Sequence, residues 1–349
     1  MPKARQQATH AQLKNNFRQS SVALSEEGAK KEKGNVDIVL LVIVSLLVIF
    51  GMLMLFSASY AKSLSENGNS YYLISQQAKN LLIGIVLATF MVVVDYRKWR
   101  NFAWPAFFFA IACLIAVFFM QELNGARRWI ILELPFGTFS FQPGEVAKFA
   151  IIIVFAYMLS GHGERLKTFK YGVLPFMLVL GCIAGLLLPE PHLSGTILVV
   201  GIAFAMMYAG GVPVKWLLMI VFAAAALVAL VWVIRPSFLD HAFLRIETFR
   251  DLDNADPDAS RQTIQSLTAI GSGGVWGRGL GKSRQKYMYL PEMHNDYIFA
   301  ILCEEFGLVG ALVLMVLFFA LLLRCLTIAR RVKDKFGCMR VGGVALQKP

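Results

Sequence analysis

The sequence predicts an all-α fold, a polytopic membrane helix bundle with about eight transmembrane helices and one long extracytoplasmic loop. Three observations support this. The 349-residue chain is 57% hydrophobic and only 16% charged, and its mean hydropathy of +0.60 exceeds what a soluble domain needs to cover its core. Apolar runs long enough to cross a bilayer recur along the chain. Basic residues cluster after every second run, as the positive-inside rule predicts for cytoplasmic loops.

The predicted spans lie near residues 37–58, 72–94, 101–120, 143–160, 173–189, 193–210, 215–234 and 297–324. Each holds roughly the 20 mostly apolar residues that a transmembrane helix needs. The first run is too long for a signal-peptide core and is interpreted as a retained anchor. An even number of spans returns the chain to its starting side, so we expect both termini in the cytoplasm. Residues 1–36 are expected to form a disordered basic tail near anionic headgroups.

The net charge of +12 does not indicate nucleic acid binding, because the basic residues gather at the ends of the apolar runs. The cysteine pattern contains neither a CxxC pair nor a disulfide framework. We therefore expect the cysteines to be small apolar fillers.

The first outward segment that breaks the charge rule is "NGARRWIILELPFGTFSFQPGEVAKFA". Its beginning, Arg127 to Trp129, is expected to be an interfacial amphipathic piece. Pro143 suits the first turn of the fourth span, Glu145 is favoured at that helix end, and Lys148 follows on the same face. Two interpretations stay open. The two charges form a self-satisfying ion pair, or Lys148 lines a cavity that faces outward.

The second outward segment, residues 235–295, is long enough to be functional or disordered. After Ser260 it becomes basic and glycine-rich, in "GSGGVWGRGLGKSRQKY". Glycine lets the backbone approach a ligand closely, and Arg and Lys suit phosphate oxygens. We interpret this half as an anion cradle, with a flexible solvated loop as the alternative. The spacing is not that of a P-loop.

Three acids follow this loop. Asp296 starts the eighth span, and Glu304 and Glu305 lie roughly 12 to 13 Å deeper at 1.5 Å per residue. A charge at the bilayer centre costs on the order of 2.5 to 3.5 kcal/mol, so at least one glutamate should pair with a buried cation or helix terminus. Because the two glutamates point in different directions from the helix, we expect them to have different roles. Asp296 is accessible from the outer water, where a general base would be useful.

The segment "AIGSGGVWGRGLGKSRQKYMYLPEMHNDYIFAILCEEFGLVG" resembles the signature of the SEDS family (shape, elongation, division and sporulation), closest to its FtsW and SpoVE branch. The segments "GARRWI", "FQPGEVAKFAIIIVFAYMLS", "PEPHLSGTILVV" and "LRIETFRDLDNADPD" resemble further family blocks in the same order. The resemblance covers about residues 37–338, which we take as the membrane domain. Two departures stand out. His192 replaces an aspartate found in many members, and the chain stops where the family continues into two more spans, so residues 339–349 are expected to be a truncated end.

The resemblance implies a ten-helix glycosyltransferase of the bacterial cytoplasmic membrane that polymerises lipid II into peptidoglycan glycan strands during cell division. It implies a class B penicillin-binding protein as partner, with other division proteins. The essential aspartate of the family's LPExHxD block maps to Asp296, and Glu292 and His294 of that block, with Glu145, are further candidates for contacting substrate.

As a mechanism, Asp296 would act as general base on the acceptor hydroxyl, and cations would stabilise the departing diphosphate. The candidate cations are Arg245, Arg278, Lys282, Arg284, Lys286 and Lys148. No cofactor is required by this scheme, although a divalent cation, Mg²⁺ or Mn²⁺, is an option. The alternatives are a lipid II flippase and a non-catalytic division scaffold.

Overall fold

The computed structural model describes residues 36–120, 127–134, 137–190, 193–234, 257–287, 294–332 and 334–347. Within these ranges there are eleven α-helices. They are α1 Ile38–Asn67, α2 Tyr72–Val93, α3 Ala103–Val117, α4 Pro143–His162, α5 Phe169–Gly172, α6 Leu174–Leu187, α7 Leu193–Ala209, α8 Val214–Ile234, α9 Pro257–Gly273, α10 Ile298–Arg331 and α11 Lys335–Gln347. The 3₁₀ turns Tyr96–Arg100 and Gly163–Lys167 lie between α2 and α3 and between α4 and α5.

The apolar helices coincide with the predicted spans and confirm a multi-pass membrane protein. In the described part of the chain, five stretches are long and apolar enough to cross a membrane: α1, α2, Pro143–Gly161 of α4, Phe169–Leu187 and α10. Three shorter apolar helices fall in the remaining predicted runs: Ala103–Val117, Ser194–Ala209 and Val214–Ala226. The exact number of crossings stays a prediction.

One short β-hairpin departs from the all-α expectation. Ile130–Leu134 (β1) and Gly137–Phe141 (β2) pair antiparallel, with Ile130 opposite Phe141 and Leu134 opposite Gly137. The β-branched and aromatic residues of this stretch favour strands. The interfacial piece expected around Arg127 therefore leads into a hairpin, which ends immediately before α4.

The long segment predicted to face outward contains a helix that the sequence analysis did not predict. This helix, α9, begins at Pro257, a residue suited to a first helical turn, and its Ser266 and Ala269 are buried. It packs along α10. The described part of residues 235–295 is thus a helix followed by a loop. Residues 1–35 of the predicted tail and the stretches 235–256 and 288–293 lie outside the described residues.

The final helix packs into the main core. That core is built by α3, α4, α6 and α7, with an edge-to-face ring pair between Phe155 and Phe176 whose centroids are 5.1 Å apart. From α11, Phe336 is buried in it, and Gly343 lies against Ile152 and Met206, where a side chain would collide. Most of the segment expected as a truncated end is therefore helical.

A second apolar cluster holds the site together. It joins Met54 and Ala58 of α1, Ala269 of α9, and residues 300–303 of α10. Next to this cluster, Ser57 of α1 and Glu304 and Glu305 of α10 are buried inside the protein.

Candidate functional site

The segment Gly274–Tyr287, which we call the glycine-rich loop, lies against a break in α10. At Gly307 the backbone is non-helical, with φ 66° and ψ −162°. A break there removes the helical partners of the Glu304 and Glu305 carbonyls and of the Leu308 and Val309 N–H groups. The loop replaces all four, through Arg278 N to Glu304 O (2.9 Å), Gly279 N to Glu305 O (2.9 Å), Leu308 N to Gly274 O (3.0 Å) and Val309 N to Val275 O (3.2 Å). Unpaired backbone groups are very costly in a membrane, so the loop and the break depend on each other.

Glycine is required where the loop touches the helix. A Cβ on Gly273 would collide with the carbonyl of Cys303, and one on Gly277 with the carbonyl of Glu305. Gly277 also has a φ of 76°, which L side chains rarely adopt. The glycine backbone thus comes close to α10, while its predicted approach to an anionic ligand stays a prediction.

Glu304 is an acceptor for the loop. Its side chain is 1% exposed and accepts hydrogen bonds from Ser283 Oγ (2.5 Å) and from the backbone N–H groups of Arg284 (3.0 Å) and Gln285 (3.4 Å). The Arg278 guanidinium lies 3.9 Å away. The carboxylate therefore binds backbone donors directly and has a cation nearby, as a buried charge requires.

Glu305 joins the loop to the first helix. It accepts from Ser57 Oγ of α1, with its two oxygens at 2.7 and 2.8 Å, and from Lys286 Nζ at 3.3 Å. Lys286 Nζ also donates to the carbonyl of Gly281 at 2.6 Å. One buried ion pair thus ties together α1, α10 and the end of the loop.

Asp296 lies on the same helix-and-loop unit but in a different environment. It is exposed, in the turn that precedes α10, whereas Glu304 and Glu305 are buried further along. The loop carries three cations that are at least partly exposed: the side chains of Lys282 and Arg284 are exposed, and that of Arg278 is one-third exposed. An accessible carboxylate thus directly precedes the helix that holds the cationic loop, a combination suited to a reaction in which a proton is removed and an anionic group is bound.

The sequence model of the FtsW/RodA/SpoVE family, described as "Cell cycle protein", matches residues 37–347. The chain belongs to this family. A protein of Geobacter sp. (strain M18) named "Probable peptidoglycan glycosyltransferase FtsW" is 34% identical over 314 residues, which cover 89% of this chain and 83% of the relative. A protein of the same name in Nitrosomonas europaea is 34% identical over 89% of this chain and 80% of its own.

Solved structures agree with this FtsW/RodA/SpoVE assignment. A chain from a study of how a peptidoglycan synthase complex coordinates polymerisation and crosslinking superimposes with a TM-score of 0.71 at 26% identity, covering 89% of this chain and 83% of that one. Thermus thermophilus rod shape determining protein RodA gives a TM-score of 0.61 at 25% identity, over 89% and 81% of the two chains. The membrane bundle predicted from the sequence is thereby confirmed as the family fold.

In this FtsW/RodA/SpoVE chain, the other predicted site residues have varied surroundings. Glu145 and Lys148 form the expected ion pair on α4, at 2.6 Å, while the predicted outward cavity at Lys148 stays a prediction. His294 is half-buried in the turn with Asp296. Lys286 is only 4% exposed and bonded to protein groups, which argues against its predicted contact with substrate. Arg245, Glu292 and His192 lie outside the described residues.

One expectation about the glutamates, that a buried cation pairs with at least one of them, is confirmed. Each has a cation within 4 Å, the buried Lys286 for Glu305 and the one-third exposed Arg278 for Glu304, and the Lys286 pair meets the prediction. Their other partners differ, while Ser283 serves both: it donates its hydroxyl to Glu304 and its N–H to Glu305 at 3.4 Å, and different roles for the two acids stay a prediction. The loop crosses the helix end and so meets side chains that point in different directions.

Glu190 is a functional candidate that the sequence analysis missed. It lies in the turn after α6 and is 2% exposed, and neither carboxylate oxygen has a hydrogen-bond partner in the described structure. Burial raises its pKa to about 7, and the positive charge of Arg128 partly opposes this rise. Arg128 Nε donates instead to the Glu190 backbone carbonyl, at 3.2 Å. The sequence signal was an acid placed directly after an apolar run, in "LLLPEPH".

The divalent-cation option gains no support from this geometry. In the parts of the chain that the structure describes, no group of three or more His, Cys, Asp or Glu side chains is placed to hold a metal ion. The acids near the loop are instead bound to serine, lysine and backbone donors.

Proposed function

We propose that this chain is a peptidoglycan glycosyltransferase that polymerises lipid II into glycan strands, with Asp296 as general base. One observation carries the proposal most directly. The exposed Asp296 lies in the turn that leads into α10, the helix whose buried Glu304 and Glu305 hold a cationic loop. The family membership and the names of the relatives support the reaction class. A role in cell division is part of the proposal and is supported by the family's description as a cell cycle protein.

The proposed chemistry is a single displacement with inversion. Asp296 takes the proton from the acceptor's 4-hydroxyl while that oxygen forms a bond to the anomeric carbon of the donor. The bond from that carbon to the diphosphate breaks, and undecaprenyl diphosphate leaves with the electron pair. Because the leaving group is already a weak base, it needs cations rather than a proton donor. One accessible carboxylate therefore suffices, without the acid pair of ordinary glycosidases.

The cations come from the glycine-rich loop. Lys282 and Arg284 expose their side chains to whatever binds there, and Arg278 exposes one third of its own. Guanidinium and ammonium groups bind phosphate oxygens through charge-assisted hydrogen bonds. We propose that these three residues contact the diphosphate. A class B penicillin-binding protein is the proposed partner, supported by the synthase complex to which this fold is similar.

The test is glycan-strand formation from lipid II by the purified chain, comparing wild type with Asp296→Asn. We expect the rate to fall at least about 100-fold, the lower range for loss of a general base. Glu66→Gln is the matched control, because it also removes an exposed carboxylate beyond the end of a hydrophobic stretch and should polymerise normally. If Asp296→Asn made strands as well as wild type, Asp296 would not be the general base. Lipid II translocation without polymerisation by wild type would favour the flippase, and neither activity would favour the scaffold.

A further inference from the structure

We propose that Lys286 and Glu305 are positioning residues, a buried ion pair that holds the glycine-rich loop in register on α10, with Glu304 as a second anchor. The inference rests on the proposed function in one respect, namely that the loop cations contact the diphosphate. In this proposal Lys286 does not contact substrate, and its role is to position the loop. The pair determines where the side chains of Lys282 and Arg284 project from the protein surface.

The first observation concerns the groups around the Lys286 ammonium. Its Nζ has three acceptors within reach: Gly281 O at 2.6 Å, Glu305 Oε1 at 3.3 Å and Ser57 Oγ at 3.5 Å. An ammonium group has three donors, so the protein itself can satisfy all of them. With the side chain only 5% exposed, a phosphate could reach Nζ only by displacing these partners.

The second observation is the complete burial of Glu305. Its side chain is 0% exposed, and the groups that neutralise or solvate it come from both α1 and the loop. Removing one member of a buried ion pair leaves an uncompensated charge, whereas replacing both members by neutral groups is often tolerated. Lys286 and Glu305 should therefore behave as one unit, and the loop should move when either is lost alone.

The hydrogen bonds that Glu304 accepts from the loop connect it to the two exposed cationic residues, Lys282 and Arg284. Glu304 accepts from the N–H of Arg284 itself, at 3.0 Å, and from the hydroxyl of Ser283, the residue after Lys282. The starting points of both exposed cationic side chains are thus held by one buried carboxylate. A displaced loop would misplace these cations while leaving them chemically intact, so substrate binding should suffer more than the chemical step.

The test compares Lys286→Met, Glu305→Gln and the double variant in the full chain. Two measurements are made: kcat and KM for lipid II, and hydrogen exchange of loop residues 278–287. We expect each single change to raise KM at least tenfold, with a smaller effect on kcat, and to increase loop exchange. The double variant should recover to within about threefold of wild type in KM and regain loop protection, because it leaves no unpaired buried charge. Lys79→Met, which removes an exposed lysine on α2, should change neither measurement.

Each alternative outcome is distinct. A double variant that regains loop protection but not KM would show that Lys286 contacts substrate, which overturns the proposal. Single variants with unchanged loop exchange would also overturn it. If the chain does not polymerise lipid II at all, the exchange data still decide whether the pair anchors the loop, so the two proposals fail separately. Should Lys286→Met not fold, Glu304→Gln replaces it. This variant should loosen residues 283–286 and raise KM, and unchanged exchange would count against the anchor.

Discussion

At the scale of single residues, the buried carboxyl of Glu190 makes stability depend on pH. Its pKa is raised from an ordinary 4.5 to about 7 because burial disfavours the charged form. Between these values the folded chain holds a proton that the unfolded chain has released. This contribution to stability is therefore most favourable below pH 4.5, falls as the pH rises towards 7, and is constant above it. The full cost of ionisation is at most about 3 kcal/mol.

Glu190→Gln should remove this pH dependence. We expect the variant to be more stable than wild type at pH 8, by up to about 3 kcal/mol, and the advantage to shrink at pH 5. Thermal or denaturant unfolding in detergent at both pH values measures it. Glu66→Gln, which changes an exposed carboxyl, should show no such trend, and an equal effect of Glu190→Gln at both pH values would argue against a raised pKa.

At the scale of elements, the break in α10 and the glycine-rich loop form one structural unit. The loop provides both donors and acceptors to the turn around Gly307. A helix interrupted at membrane depth is tolerated where the freed backbone groups find partners inside the protein. Here the loop that supplies hydrogen-bond partners to the broken helix also bears the cationic side chains. The stability of the break and the geometry of the site are therefore coupled.

Substitutions at two nearby glycines of the loop distinguish the cost of a steric clash with α10 from the cost of an unfavourable backbone conformation. Gly274→Ala places a side chain in open space at a φ of 56°, whereas Gly277→Ala, at a φ of 76°, also drives Cβ into the α10 backbone. We expect Gly274→Ala to cost about 1 to 2 kcal/mol and Gly277→Ala to cost more, with loss of loop protection in hydrogen exchange. Equal costs for the two substitutions would mean that the loop does not pack closely on α10.

At the scale of the whole molecule, the charge pattern predicts the orientation of the bundle in the membrane. Basic residues lie beyond α2, after α4 and at the end of α10, so these ends should face the cytoplasm. The loop that carries the proposed chemistry would then face outward, on the side where we propose that polymerisation takes place. The same orientation would place Cys338, which follows the end of α10 by a few residues, on the cytoplasmic side.

Cysteine labelling tests this orientation. In a variant that keeps only Cys338, a membrane-impermeant maleimide should label inverted vesicles and not intact cells. A companion variant that carries Ser65→Cys as its single cysteine, near the far end of α1 where Ser65 is exposed, should show the opposite result. Labelling of both positions from the same side would contradict the predicted topology.

The sequence by itself determined the membrane helices and the position of the exposed acid. A helix that crosses lipid must be apolar along its length, so its location is written in consecutive residues. The need of Glu304 and Glu305 for partners followed from the cost of a charge in the bilayer. Asp296 at the water boundary followed from the same pattern.

Only the tertiary structure decided which groups meet those acids. Ser57 and Glu305 are 248 positions apart, and no local pattern relates them. The break at Gly307, the helix α9 and the buried state of Lys286 likewise depend on packing between distant segments. Hydrophobic periodicity reports where a residue lies relative to lipid, because that is a property of its own helix. The choice of a polar partner depends on how helices are arranged in space, and so it had to be seen.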